Sequence, residues 1–173
     1  MIKILCADAF FTEGVVDKLV NIAYVLPFED NEYGQEIMNF NMVPPDLDPI
    51  FSKMVGEPVS VIDSLSGVFR KPIHGIHFES FESAEDWIFY IALEPTTFNL
   101  YNHIEDVNKV NSRNALEGYR WNYQNMMEWD CYCNILLEPN QGVIFKPWLF
   151  HSLAGGLVQV YRLGKVSNVA QSI

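Results

Sequence analysis

Apolar residues recur at helical spacing near the start of the chain, at Phe11, Val15, Leu19, Ile22 and Leu26, which predicts a helix over 10–26. Thr12 is its expected N-cap and Pro27 its stop. Residues 28–45 read as a polar loop with a short strand near Ile37 to Val43, closed by Pro44-Pro45. A second short helix is predicted from Asp46 to Val55, with Asp46 as cap, Gly56 as stop, and Pro49 in the first turn, where proline is tolerated.

From residue 58 the texture changes to short apolar runs punctuated by turn residues. Val59–Leu65, Gly67–Phe81, Trp87–Leu93 and Thr96–His103 read as strands. So do Glu128–Leu137, Gly142–Lys146, Leu149–Leu153 and Leu157–Leu163. Between the two groups, residues 104–128 are polar and rich in Asn, which predicts a long insertion loop. The tail from Lys165 to Ile173 has little to anchor it.

Helices followed by a run of short strands predict a mainly β (α+β) fold, a jelly roll with the N-terminal helices packed on its outside. The 173 residues suit one domain: a helical support region at 1–57, a β core at 58–163, and the 104–128 loop inserted into that core. With 49% hydrophobic residues the chain can build a real core.

Charge and cysteine usage narrow the partners. Acidic residues outnumber basic ones 22 to 11, giving a net charge of −11, and no basic cluster is present, so nucleic acid is disfavoured as a partner. The three cysteines, Cys6, Cys131 and Cys133, are an odd number, and the last two are too close for an ordinary disulfide. A cytoplasmic or other intracellular reducing compartment fits better than a disulfide framework. The longest apolar run, Trp87 to Leu93, is too short to span a bilayer, and Asp8 breaks the apolar start of the chain before it makes a signal peptide.

Three places carry chemistry. In Ile76-His77-Phe78-Glu79, a strand would turn His77 and Glu79 to one face, which is two-thirds of a facial metal triad. In Gly142 to His151, a strand, a Pro147-Trp148 bend and a distal histidine could supply the third ligand. Tyr161-Arg162 follows the Gly155-Gly156 pair. Read as a two-residue hairpin turn, that pair sets Ala154 opposite Leu157, Leu153 opposite Val158 and His151 opposite Val160. Arg162 would then be a diagonal neighbour of His151, about 7–8 Å away and able to clamp a carboxylate beside a metal.

This constellation, His-x-acid, then a strand pair over Trp87 to Phe98, then a distal His and an Arg about ten residues on, resembles the Fe(II)/2-oxoglutarate oxygenases of prolyl-hydroxylase type. The resemblance covers about residues 58–163 and implies a double-stranded β-helix. It also implies Fe(II) held by His77, Glu79 and His151, and 2-oxoglutarate held at its distal carboxylate by Arg162. Tyr90 and Tyr101 are further candidates to hold 2-oxoglutarate, and no catalytic residue is expected beyond the metal centre. In such enzymes the co-substrate is oxidatively decarboxylated and a substrate, here a small molecule or a peptide side chain, is hydroxylated.

The sequence departs from that pattern in three ways. Glu79 stands where the family usually has Asp, Gly164 where it often has Ser, and Thr97-Phe-Asn-Leu-Tyr where a glycine-rich turn is usual. These departures bear on activity more than on fold. Two other readings stay open. One is a cupin-like metalloprotein of other activity, recruiting His103 or His74. The other is a non-catalytic jelly-roll module for binding or structure.

Overall fold

The computed structural model describes residues 4–25, 29–30, 36–38, 47–62, 67–70, 75–79, 86–103 and 126–166. Two antiparallel sheets face each other. The large sheet contains β1 (Leu5–Ala7), β2 (Glu29–Asp30), β3 (Glu36–Met38), β4 (Val59–Val61), β5 (Gly67–Arg70), β6 (Trp87–Ala92), β9 (Gly142–Phe145) and β11 (Val158–Lys165). Its order is β1-β9-β6-β11-β5-β3-β2, with β4 also paired to β11. The small sheet has the order β10-β7-β8, built from β7 (Thr96–His103), β8 (Trp129–Leu137) and β10 (His151–Gly155). The architecture is the expected mainly β jelly roll.

Between the sheets lies one apolar layer. Ile88, Tyr90 and Ala92 of β6 and Val158 and Val160 of β11 meet Phe98 and Leu100 of β7 and Leu153 of β10. On the outer side of the large sheet a second layer forms. There Trp87, Phe89 and Ile91 of β6 and Tyr161 and Leu163 of β11 pack under two helices, α1 (Val15–Val25) and α2 (Leu47–Val55). Leu19 and Ala23 of α1 and Phe51 of α2 are buried there, and the Phe51 ring lies 5.2 Å from Phe89 and 5.5 Å from Tyr161. β6 is covered on both faces, so every one of its residues is buried, and Trp87-Ile-Phe-Tyr-Ile-Ala shows no polar alternation.

Several boundaries differ from expectation. Helix α1 begins at Val15, not at residue 10, and Thr12 caps nothing with its side chain: its carbonyl accepts from the Val15 amide at 3.2 Å in a tight turn. Gly14, at φ 77°, provides the first intrahelical acceptor, for Lys18, so it occupies the N-cap position. Phe11 is buried from the preceding turn rather than from the helix. Gly56 does end α2, at φ 83°, with its amide on the Ser52 carbonyl. The predicted strand Gly67–Phe81 is regular only over Gly67–Arg70, and Phe81 lies outside the described residues. So do Pro27, Asp46 and residues 104–125 of the predicted insertion loop.

The largest correction concerns Gly155-Gly156. It closes no hairpin, because β10 pairs with β7 in the small sheet while β11 pairs with β6, β5 and β4 in the large one. The chain crosses between sheets at this point. Gly155, at φ 144°, passes so close to β7 that a Cβ there would lie 2.5 Å from the Pro95 carbonyl oxygen. Trp87 to Phe98 is likewise a crossing from β6 to β7, not a paired hairpin.

Candidate metal centre

Residues 75–79 run beside the start of β10. His77 and His151 exchange amide-to-carbonyl hydrogen bonds of 2.9 and 2.8 Å, and the Glu79 amide donates to the Pro147 carbonyl at 2.9 Å. This short bridged segment keeps the alternation of a strand. Ile76 and Phe78 turn outward, onto Trp129 and Phe150, while His77 and Glu79 turn into the space between the sheets. His151 enters the same space from β10 with no exposed surface, walled by the rings of Phe145 at 4.8 Å and Phe98 at 5.6 Å.

Both histidine rings are aimed by the same local device. The Nδ1 of His77 lies 3.0 Å from the Gly75 carbonyl oxygen, and that of His151 lies 2.8 Å from the Leu149 carbonyl oxygen. A carbonyl only accepts, so Nδ1 carries a proton on each ring and Nε2 is the nitrogen turned toward the cluster. The two Nε2 atoms converge on Glu79 Oε1, at 3.6 Å from His77 and 3.9 Å from His151. The three donor atoms lie within 4.8 Å of one another and form a group able to hold a metal ion such as iron.

The large sheet supplies the other two members. Tyr90 pairs with Val160 across β6 and β11, and Arg162 lies two residues further on, so the two are diagonal neighbours on the inner face. The Tyr90 hydroxyl donates to Glu79 Oε1 at 2.5 Å and lies 3.0 Å from His151 Nε2. Arg162 Nη2 donates to Glu79 Oε2 at 2.6 Å. Arg162 therefore reaches the cluster by a different route from the expected hairpin: its diagonal partner is Tyr90, and it approaches the histidines across the sandwich.

Electrostatics follow from this crowding. Burial alone pushes the Glu79 carboxyl up, but the His77 ring beside it and the Arg162 charge outweigh burial and hold it well below the usual carboxylate range. Burial, reinforced by His77, pushes His151 down to about 3, so its ring is neutral. Burial and the Glu79 charge push Tyr90 well above its ordinary range. Tyr90 therefore has one proton to offer two acceptors, Glu79 Oε1 and His151 Nε2. The charged carboxylate holds it at the shorter distance, and the buried Nε2 lone pair is left facing the cluster. Two imidazole nitrogens and a carboxylate around one point form a donor set suited to a divalent transition metal, whose bonds of about 2.1 Å would place neighbouring donors roughly 3 Å apart.

Tyr101 is not brought to this cluster. Phe98 and Leu100 point inward on β7, so Tyr101 falls on the opposite face, where its hydroxyl lies 2.9 Å from Ser152 Oγ. His74 lies outside the described residues, and of His103 only the backbone is described. The three cysteines are free thiols. The aromatic walls Phe98 and Phe145 were not singled out in the sequence, where their only signal is inward alternation on β7 and β9. No helix among the described residues is long and apolar enough to cross a membrane.

The fold is the double-stranded β-helix of the Fe/2-oxoglutarate-dependent enzymes. The chain is similar to SnoN, a non-haem α-ketoglutarate-dependent epimerase from nogalamycin biosynthesis, with a TM-score of 0.66 at 9% identity over 95% of this chain and 79% of that one. It is similar to HygX from Streptomyces hygroscopicus, solved with nickel, 2-oxoglutarate and hygromycin B, with a TM-score of 0.56 at 11% identity over 95% and 84%. The carbocyclase SnoK, also from nogalamycin biosynthesis, gives 0.59 at 10% identity over 94% and 78%. No protein-family model and no curated protein sequence matches the chain.

Proposed function

We propose that the protein is an Fe(II)- and 2-oxoglutarate-dependent oxygenase acting on a small molecule or a peptide side chain. His77, Glu79 and His151 would hold the iron, and Arg162, helped by Tyr90, would hold a carboxylate of 2-oxoglutarate. The observation that carries the reading is the meeting of the two groups: three metal-type donors from one sheet lie against a guanidinium and a phenol from the other, with Glu79 touching all four neighbours. Iron bound there would supply the oxidative decarboxylation of 2-oxoglutarate that drives hydroxylation. The chain's own residues would orient and seal: the carbonyls of Gly75 and Leu149 set the two rings, and Phe98, Phe145 and Leu153 keep water from the inner side.

Similar proteins support the small-molecule side of this reading, since SnoN has been solved with nogalamycin RO and HygX with hygromycin B. The test is anaerobic titration of metal-stripped protein with Fe(II) and then 2-oxoglutarate, followed by visible absorption. A weak charge-transfer band that needs both components, and is lost in His151→Ala, is the expected result. Iron binding with no such band would turn the assignment toward a cupin-like metalloprotein, and no iron binding would leave a non-catalytic module.

A further inference from the structure

Glu79 is gripped at both of its oxygens. Tyr90 donates to Oε1 at 2.5 Å and Arg162 to Oε2 at 2.6 Å. A phenol and a guanidinium, diagonal neighbours on the large sheet, thus form a two-point grip on a carboxylate, and the carboxylate they hold belongs to the chain itself. We propose that Tyr90 and Arg162 are a carboxylate clamp that Glu79 fills in the metal-free protein, and that a metal cation at the histidines frees the clamp for a small carboxylate ligand.

Charge balance gives the direction of the coupling. Arg162 is only 15% exposed, so its charge needs a counter-charge close by. Glu79 supplies one at 2.6 Å, and a second carboxylate entering the clamp would meet Glu79 at the same two donors. A divalent cation beside the two Nε2 atoms changes both conditions: it draws Oε1 toward itself and adds positive charge that an anionic ligand offsets. Metal and carboxylate therefore bind with positive coupling, each raising the affinity of the other by the same factor. The length of Glu79 is what permits this self-occupation, because its extra methylene lets one carboxylate reach both the imidazoles and Arg162. The coupling rests on the metal assignment proposed above, while the clamp and its occupant stand apart from it.

The probe is glutarate, a dicarboxylate without the keto group that would chelate a metal directly, titrated calorimetrically into metal-stripped protein. Glu79→Ala is expected to bind glutarate about tenfold or more tightly than wild type, and Mn(II) to tighten wild-type binding to a similar degree. Glu79→Gln, which keeps the shape and loses the charge, should shift affinity in the same direction, and adding Arg162→Ala to either variant should abolish the gain. If both Glu79 variants are folded by circular dichroism yet bind glutarate no better than wild type, the clamp is not self-occupied. That result alongside a charge-transfer band in the wild type would sink this inference and leave the oxygenase standing. Tight glutarate binding by Glu79→Ala, with no metal binding by the wild type, would do the reverse.

Discussion

His151 shows how much a single side chain's surroundings decide. Its ring is fully buried and held neutral, pushed down to about 3, whereas the unfolded chain protonates it near the ordinary 6.5. The unfolded state thus takes up a proton that the folded state refuses, and metal-free protein loses stability as pH falls below about 6.5 and on toward 3. Glu79, held below its usual range, adds a further loss as pH falls through the ordinary carboxylate value of 4.5. Between pH 6.5 and 5 the His151 contribution is about 2 kcal/mol. Urea unfolding of His151→Asn should show a flatter profile in that window, and an unchanged profile would mean that the ring is not what titrates. The candidate donors themselves were legible in the sequence, because i and i+2 spacing and a downstream histidine are local patterns. Tyr90 was harder to weigh. It sits in the middle of an unbroken apolar strand, and its one signal is that a buried hydroxyl must find a partner.

At the scale of elements, connections were the weak point of the sequence. Strand-like runs from Trp87 onward fell close to the observed strands, since burial on one or both faces writes itself into the apolar pattern. Whether a turn joins paired strands or carries the chain to the opposite sheet is decided by packing far away in sequence, and Gly155-Gly156 looks the same in either case. Gly155→Ala is expected to destabilise by about 1–3 kcal/mol, because the Cβ has no room against Pro95 and the residue holds a positive φ; thermal unfolding reads this directly. A second long-range tie is equally specific. Asn140, at φ 73°, accepts from the Phe11 amide at 2.7 Å and donates to the Phe11 carbonyl at 2.9 Å, fixing the chain ahead of α1 to the turn between β8 and β9. Asn140→Ala should cost about 2 kcal/mol and raise amide exchange in α1 before it does so in β6, a pattern that uniform destabilisation would not give.

Taken whole, the molecule divides its labour by sheet. The three candidate metal donors belong to β10 and the segment bridged to it, and the carboxylate clamp belongs to β6 and β11. Glu79 reaches both clamp residues across the gap. On the proposed function, Mn(II) at a hundred times its dissociation constant should stabilise the fold by about 2.7 kcal/mol, and His77→Ala should remove that increment while changing metal-free stability far less. A melting temperature indifferent to Mn(II) would count against the metal assignment.

Both histidines take their aim from the carbonyl two residues back along their own segment. The orientation of each ring is therefore set first by a few neighbouring residues of its own segment. On the proposed function, changes in the facing wall would alter the molecules admitted while the candidate donors stay in register. A library that randomises Val143 and Val160, inward positions of β9 and β11, has a ready-made anchor against which to vary.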